Sequence, residues 1–468
     1  MHGFADRGLV VPRGRFVSQG RFGRMFPELR TLTHFEPGPV ALGAVGGPMD
    51  GGNPPPSDTS QNNARIKAGY TFLGQFIDHD ITLDTTSVLE QQIDVNATEN
   101  FRSPVLELDS LYGLGPAAQP SLYDRNNPGR FLLADSGLDL PRNSQGVALI
   151  GDPRNDENVL ISQLHMTFLR FHNAVYNNHT DPALGNRERF ETAQKLVRWH
   201  YQWIVLNEFL PRIVGTHTTK RALKAPRFVY EDRPFIPLEF SVAAYRFGHS
   251  QVRPGYLVRP GSGAALFPDN PSAPPGPGDL RGGRPVPPEL IVDWANFFGP
   301  TAQTSKLIDP RISTVLIRLP DGVVPPGTPD AHRSLATRNL QRGQDARLPS
   351  GQDVAARLAL VDPLSDADIW ANVPGGSGPA PLWYYCLRES EVRASGHRLA
   401  GVGADIVASV LIGLLRADHA SYVFQHPLWT PTLPSQLAGR FTMSDLVNLA
   451  HGTTMEAERV ENLVNDDV

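Results

Sequence analysis

The sequence predicts a mainly α-helical protein. A single large helical domain spans residues 65–468, with long Pro/Gly-rich loops and little strand, and an N-terminal segment, 1–64, wraps over it. Three observations carry this reading. Long stretches repeat apolar residues at helical spacing. No βαβ alternation and no internal repeat is found. The chain holds 43 Gly and 43 Pro in 468 residues, gathered between the periodic stretches, which predicts long ordered loops.

Residues 1–64 are rich in Gly, Pro and Arg and show no sustained period, and 46–63 read as loop. The opening helix is expected at about 65–83, with Phe72, Leu73, Phe76, Ile77 and Ile81 as its apolar part. Residues 84–102 are polar and irregular. In Ser103–Gly113, the residues Ser103, Val105, Glu107 and Asp109 alternate, so in an extended segment they point the same way. Residues 114–147 read as loop. A long amphipathic helix begins near Val159, buries Leu160, Leu164, Phe168, Phe171, Val175 and Tyr176, and takes Asp156 or Asn158 as its cap. A second is expected at 185–212. A buried helix at 239–256 carries His249 and ends at Pro254. Residues 257–288 read as loop, and 292–299 as a short helix. Further helices follow at 334–350, 381–392, 403–418 and 443–450.

Composition excludes several classes. A net charge of −5 argues against a nucleic-acid partner and against a polybasic membrane surface. The one cysteine, Cys386, excludes an intrachain disulfide. No continuous apolar run reaches the roughly 18 residues of a transmembrane span. The first residues lack an apolar core of the Sec type, which favours the cytoplasm or export without such a signal.

Three polar islands interrupt apolar surroundings: Gln75/Asp78/His79, Arg154/Glu157, and Arg246 with His249. On a helix, Gln75 and His79 share a face and Asp78 stands beside Gln75. A core helix with a satisfied histidine fits that stretch equally well. A histidine near an arginine can move a proton and stabilise negative charge developing on oxygen. A second histidine in a buried helix could be an axial ligand to haem iron, with Asn339 bonding its other ring nitrogen. The 103–109 segment offers oxygen ligands that suit calcium, although an ordinary acidic loop explains it as well. Sequence distance alone derives none of these pairings. No HExxH, GxSxG, P-loop or Rossmann glycine pattern offers a rival chemistry.

Taken in order, these stretches resemble the animal-type haem peroxidases, the myeloperoxidase and peroxidasin superfamily, in its bacterial branch. GQFIDHD (74–80) is similar to that family's distal-histidine motif. GDPRNDEN (151–158), followed by LHMTFLRFHN (164–173), is similar to its distal-arginine motif. YRFGHS (245–250) is similar to the proximal-histidine motif, and NLQRGQDARLP (339–349) to the later asparagine-bearing helix.

The resemblance implies a haem-dependent peroxidase. Such an enzyme reduces hydrogen peroxide through a ferryl intermediate and oxidises small phenolic, halide or pseudohalide donors. It implies His79 as distal acid/base, Arg154 as stabiliser of the departing oxygen, and Gln75 as holder of the distal water or a halide. His249 would be the iron ligand, oriented by Asn339. Asp78 and Glu157 match the carboxylates that esterify haem b. Asp80, Ser103, Val105, Glu107 and Asp109 match a calcium site. Departures exist. Asn158 cannot form the sulfonium link of a methionine, Glu107 stands where the family usually has Asp, and Gln344 and Ala346 replace a common Arg and His. Fatty-acid dioxygenases of the same scaffold carry a tyrosine three residues before the proximal histidine; this chain has Arg246 there. Tyr245 is one position away, which favours the peroxidase over a dioxygenase or a non-catalytic haem-binding relative.

Overall fold

Helix Gly69–Ile81 lies inside the molecule, with every residue but Gln75 and Asp78 buried. Its apolar positions recur on both sides, so it needs neighbours all round. Phe76 stacks on Phe168 with ring centres 4.5 Å apart. A side chain at Gly69 would meet the Phe298 ring at 2.5 Å, so glycine lets the helix start hard against Ala295–Phe298. The computed structural model describes residues 22–54, 58–83, 100–230, 233–267, 275–321, 323–325 and 327–458. Most of the stretch expected to be irregular at 84–102 therefore falls outside the described residues.

The helix starts later than its periodicity suggests. Asn62–Lys67 form a strand, antiparallel to Thr304–Lys306. The Asn63 side chain accepts from the N–H groups of Arg65 and Ile66 at 3.0 and 3.2 Å, a local bond that competes with helix initiation.

Helix Val159–Asn178 follows the expected pattern and buries all six of its predicted apolar positions. Asn158 is its cap, accepting from Ile161 N–H at 2.9 Å. The next helix does not run unbroken to 212. It spans Asn186–Ile204, widens to a π turn at Val205–Phe209, and resumes at Leu210–Val214. Pro211 has no N–H to close the regular ladder there.

The expected helix at 239–256 is not an α-helix. Glu239–Ala243 form a π turn and Ala244–Gln251 a 3₁₀ helix. Between them Ala243 leaves helical space at φ −127°, ψ −80°. The segment stops at Gln251, before Pro254 is reached. What was read as loop after 257 begins as a hairpin, Gly255–Arg259 with Ser262–Ala265.

Helices Leu335–Asp345, Leu382–Ala394, Gly401–Ala417 and Met443–His451 lie where periodicity puts them. Short helices at Thr216–Lys224 and Gly351–Arg357 were not apparent from the pattern. The fold is mainly helical. Among the described residues the strands make only two two-stranded sheets. Residues from 22 onward cross the 239–251 segment: Met25 and Phe26 donate their N–H groups to buried Glu239 at 2.9 and 3.2 Å. No helix among the described residues is long and apolar enough to cross a membrane.

Candidate active site

His79 is buried and held by its Nδ1, which lies 2.8 Å from Asn155 Oδ1. A carbonyl oxygen only accepts, so Nδ1 carries the proton and Nε2 keeps its lone pair. Nε2 meets no hydrogen-bond partner among the described residues. Burial, with the Arg154 cation adding to it, lowers this imidazole to about 3, so the ring is neutral. The other end of the Asn155 amide, Nδ2, donates to His165 Nδ1 at 2.9 Å.

Arg154 stands on a short 3₁₀ turn, Pro153–Asp156, at the foot of helix Val159–Asn178. Its Nε and Nη2 donate to the two oxygens of Asp152, and Nη2 also reaches the carbonyls of His79 and Thr82. Nη1 is left without a partner among the described residues. Asp152 is fully buried and also accepts from Arg102 at 2.7 Å. These cations hold its carboxyl far below the usual range against the opposing effect of burial.

Gln75 donates to Glu157, which joins the helix to the 151–158 loop. Burial pushes the Glu157 carboxyl up to about 7 and raises that of Asp78, with Arg154 and Arg246 opposing it. Yet Glu157 is exposed, and Gln75, Asp78 and Arg154 are half-exposed. Both statements hold if these side chains face a hollow within the protein rather than bulk water. Asp78 lies near enough to both Arg154 and Arg246 to feel their charges, so the two islands border one region.

Arg246 and His249 are three apart, which on a 3₁₀ helix sets them one above the other. Both meet Asn339: Arg246 donates to its Oδ1, and its Nδ2 lies 2.8 Å from His249 Nδ1. His249 is half-buried, and a Cβ at neighbouring Gly248 would meet nothing within 4 Å. Tyr245 sits about 120° around this tighter turn, rather than the 100° of an α-helix. Its hydroxyl donates to the Gly74 carbonyl at 3.2 Å and its ring stacks on Phe240.

The residues fit a metal-bearing macrocycle in their donor set, with a bare imidazole nitrogen and a guanidinium on one island and a second imidazole on the other. They differ from it at one atom. With Asn339 Nδ2 toward Nδ1, neutral His249 carries its proton on Nε2. Metal ligation through Nε2 requires the amide to turn over and Arg246 to leave its oxygen.

The acidic segment is bent rather than extended. Glu107 N–H bonds back to the Val105 carbonyl at 3.0 Å, Leu108 takes φ +60°, and Asp109 begins a helical turn. Alternation therefore does not line up Ser103, Val105, Glu107 and Asp109. Glu107 pairs with Arg198 at 3.2 Å and Asp109 with Arg102 at 3.4 Å. Among the described residues, no group of three or more His, Cys, Asp or Glu is gathered closely enough to hold a metal. Asp80 is the exception to this pairing. Its Oδ2 accepts from Leu108 N–H at 3.1 Å, while buried Oδ1 meets no well-aligned donor among the described residues, the Tyr201 hydroxyl standing near the carboxyl. Burial, with Asp109 and Glu107 nearby, raises its carboxyl to about 7.

Asn155, Asp152, Arg102 and His165 escaped the sequence reading as site residues. Asn155 and Asp152 stood inside a quoted motif, flanking its arginine, and that adjacency was the available signal.

The family model for animal haem peroxidase matches residues 121–369, which include Arg154, Glu157, Arg246, His249 and Asn339. Chorion peroxidase of Drosophila melanogaster is 30% identical over 359 residues, 69% of this chain. The chain belongs to the animal haem peroxidase family. It spans 42% of that relative's length. A peroxidase-like protein of Margaritifera margaritifera is 39% identical over 111 residues, 22% of this chain and 14% of its own. Among solved structures, peroxidase A of Dictyostelium discoideum has a TM-score of 0.59 at 16% identity, covering 90% of this chain and 91% of its own. The fatty acid alpha-dioxygenase of Oryza sativa has a TM-score of 0.56 at 16% identity, covering 89% and 81%. Both show the fold. Membership in the family is consistent with an oxidoreductase.

Proposed function

We propose that this chain is a haem peroxidase that reduces hydrogen peroxide and oxidises a small phenolic, halide or pseudohalide donor. One observation carries it: His79 keeps Nε2 bare beside a guanidinium, Arg154, whose Nη1 is unengaged. His249 would hold the iron of haem b through Nε2, with Asn339 on its other ring nitrogen and Arg246 beside them. Bound there, the iron supplies the electron transfer that breaks the peroxide O–O bond. His79 Nε2 takes the proton from the near oxygen and returns it to the departing one. Arg154 donates to that departing oxygen as its charge grows. Gln75 positions the distal water or halide.

Asp78 and Glu157 would form the ester links to haem, since burial keeps both carboxyls disposed to the neutral state. Calcium would sit at Asp80, with Glu107, Asp109, Ser103 and the Val105 carbonyl. The support for this is the buried Oδ1 of Asp80, whose carboxyl feels Asp109 and Glu107; holding the ion would require those two to leave Arg102 and Arg198 and close in on it.

The test is a spectrum of purified chain. A Soret band that shifts on adding peroxide, with oxidation of a dye, is expected. Haem retained through acid–butanone extraction reports the ester links. No Soret band overturns the reading. Oxygen uptake with a fatty acid, in place of peroxide turnover, would favour the chemistry that the name of the Oryza sativa fatty acid alpha-dioxygenase states. The arginine at 246 and the tethered Tyr245 hydroxyl speak against that.

A further inference from the structure

Three buried side chains are joined one to the next, His79, Asn155 and His165, with exposures of 5%, 0% and 0%. The two contacts that join them are side chain to side chain, at 2.8 and 2.9 Å. An amide has one end that only donates and one that only accepts. Its orientation therefore fixes the tautomer of both histidines together. With Oδ1 toward His79 and Nδ2 toward His165, His79 is Nδ1–H and His165 is Nε2–H.

We infer that His165 is a positioning residue for the distal base. Its Nδ1 takes the Asn155 Nδ2–H, so the amide that holds His79 as the Nδ1–H tautomer, with Nε2 bare, cannot turn over unless both histidines move their protons together. The inference rests on the distal role proposed above for His79. If the amide is inverted, Asn155 donates to His79 Nδ1, the proton moves to Nε2, and the ring can no longer accept a proton from peroxide. Both orientations make the same two bonds. Among the described residues His165 Nε2 is buried without a partner and adds no third bond to lock its own ring. The choice between them thus rests on the three groups and on the Arg154 cation, which disfavours moving the single N–H of the neutral His79 ring to Nε2. A neighbour that merely filled space at 165 would leave the Asn155 amide with an unpaired buried NH₂ and free to turn.

The tautomers are read directly. Full-length protein labelled with ¹⁵N-histidine gives long-range ¹H–¹⁵N correlations that distinguish a protonated ring nitrogen from a bare one. With haem present the reduced carbonyl complex is used, because its iron is diamagnetic. Loss of signals in His79→Gln and His165→Phe assigns the two rings. The wild type is expected to show His79 protonated at Nδ1 and His165 at Nε2. In Asn155→Asp the carboxylate accepts on both sides, so His165 should move its proton to Nδ1 while His79 stays as it was. In His165→Phe the His79 signals should show both tautomers. The rate of peroxide reduction should then fall by about tenfold or more, toward the contribution of a general base. His79 protonated at Nε2 in the wild type overturns the inference. So does a His165 tautomer that Asn155→Asp leaves in place, or a peroxide rate that His165→Phe leaves unchanged. The wild-type spectrum needs no variant to fold. A chain that lacks a Soret band would end the haem reading, while the spectrum of that same chain would still decide the tautomers.

Discussion

Asp152 grips Arg154 at both carboxylate oxygens, Oδ1 accepting from Nε at 3.1 Å and Oδ2 from Nη2 at 2.8 Å. The same carboxylate takes Arg102, so one buried anion compensates two cations. Asp152→Asn removes that charge, leaving Arg154 without its carboxylate clamp and Arg102 with Asp109 alone. Breaking such a pair inside a protein costs about 3 kcal/mol or more. Thermal denaturation should show a clear drop in Tm for D152N. The peroxide rate should fall as well, because Arg154 loses the clamp that directs it. An unchanged Tm would show that the two arginines find other partners.

The proximal pair predicts a rearrangement on loading. His249→Ala should abolish the Soret band, since it removes the proposed axial ligand. Asn339→Ala should weaken haem retention by about 10- to 100-fold, the usual effect of removing the group that orients a metal-bound histidine. A crystal structure of the loaded protein should show Asn339 Oδ1 on His249 Nδ1 and Arg246 withdrawn from it. An amide still contacting Arg246 through its oxygen, with haem in place, would contradict this assignment.

Helix Gly69–Ile81 was readable because its apolar spacing is dense and its polar residues fall on one side. The 239–251 segment was not. Apolar spacing does not separate an α-helix from a π turn followed by a 3₁₀ helix, and only the second puts Arg246 over His249. Strand Asn62–Lys67 was missed for a related reason: its partner, Thr304–Lys306, is far away in sequence and supplies the bonds that define it. The distal arginine was readable from a motif, but the carboxylate that holds it was not. Nothing in the spacing says that Asp152 faces inward. The extended reading of 103–109 failed because alternation assumes a straight backbone, and Leu108 at positive φ breaks it.

Asp80 gives the cation site its test. A ligand that binds only the folded protein raises Tm with its concentration. Calcium should raise the Tm of chelator-treated protein, and Asp80→Ala should remove that response while leaving the calcium-free Tm close to its original value or lower. If calcium has no effect on the wild type, the Arg102 and Arg198 pairs seen with Asp109 and Glu107 already satisfy this segment. The calcium reading then falls.

Glu389 predicts a pH dependence away from the site. It is 1% exposed and accepts from Val402 N–H at 2.6 Å, at the start of helix Gly401–Ala417. Burial pushes its carboxyl up to about 8 from the ordinary 4.5. The folded protein therefore keeps this proton until about pH 8, while the unfolded chain gives it up near 4.5. Between those values the folded form binds more protons, so this group makes stability fall as pH rises, and the fall ends above pH 8. The whole effect is of the order of a few kcal/mol. Glu389→Gln carries no titrating group there. Its Tm should match the wild type near pH 5 and decline less steeply toward pH 8. Parallel Tm curves for the two proteins across that range would show that Glu389 titrates alike in the folded and unfolded states.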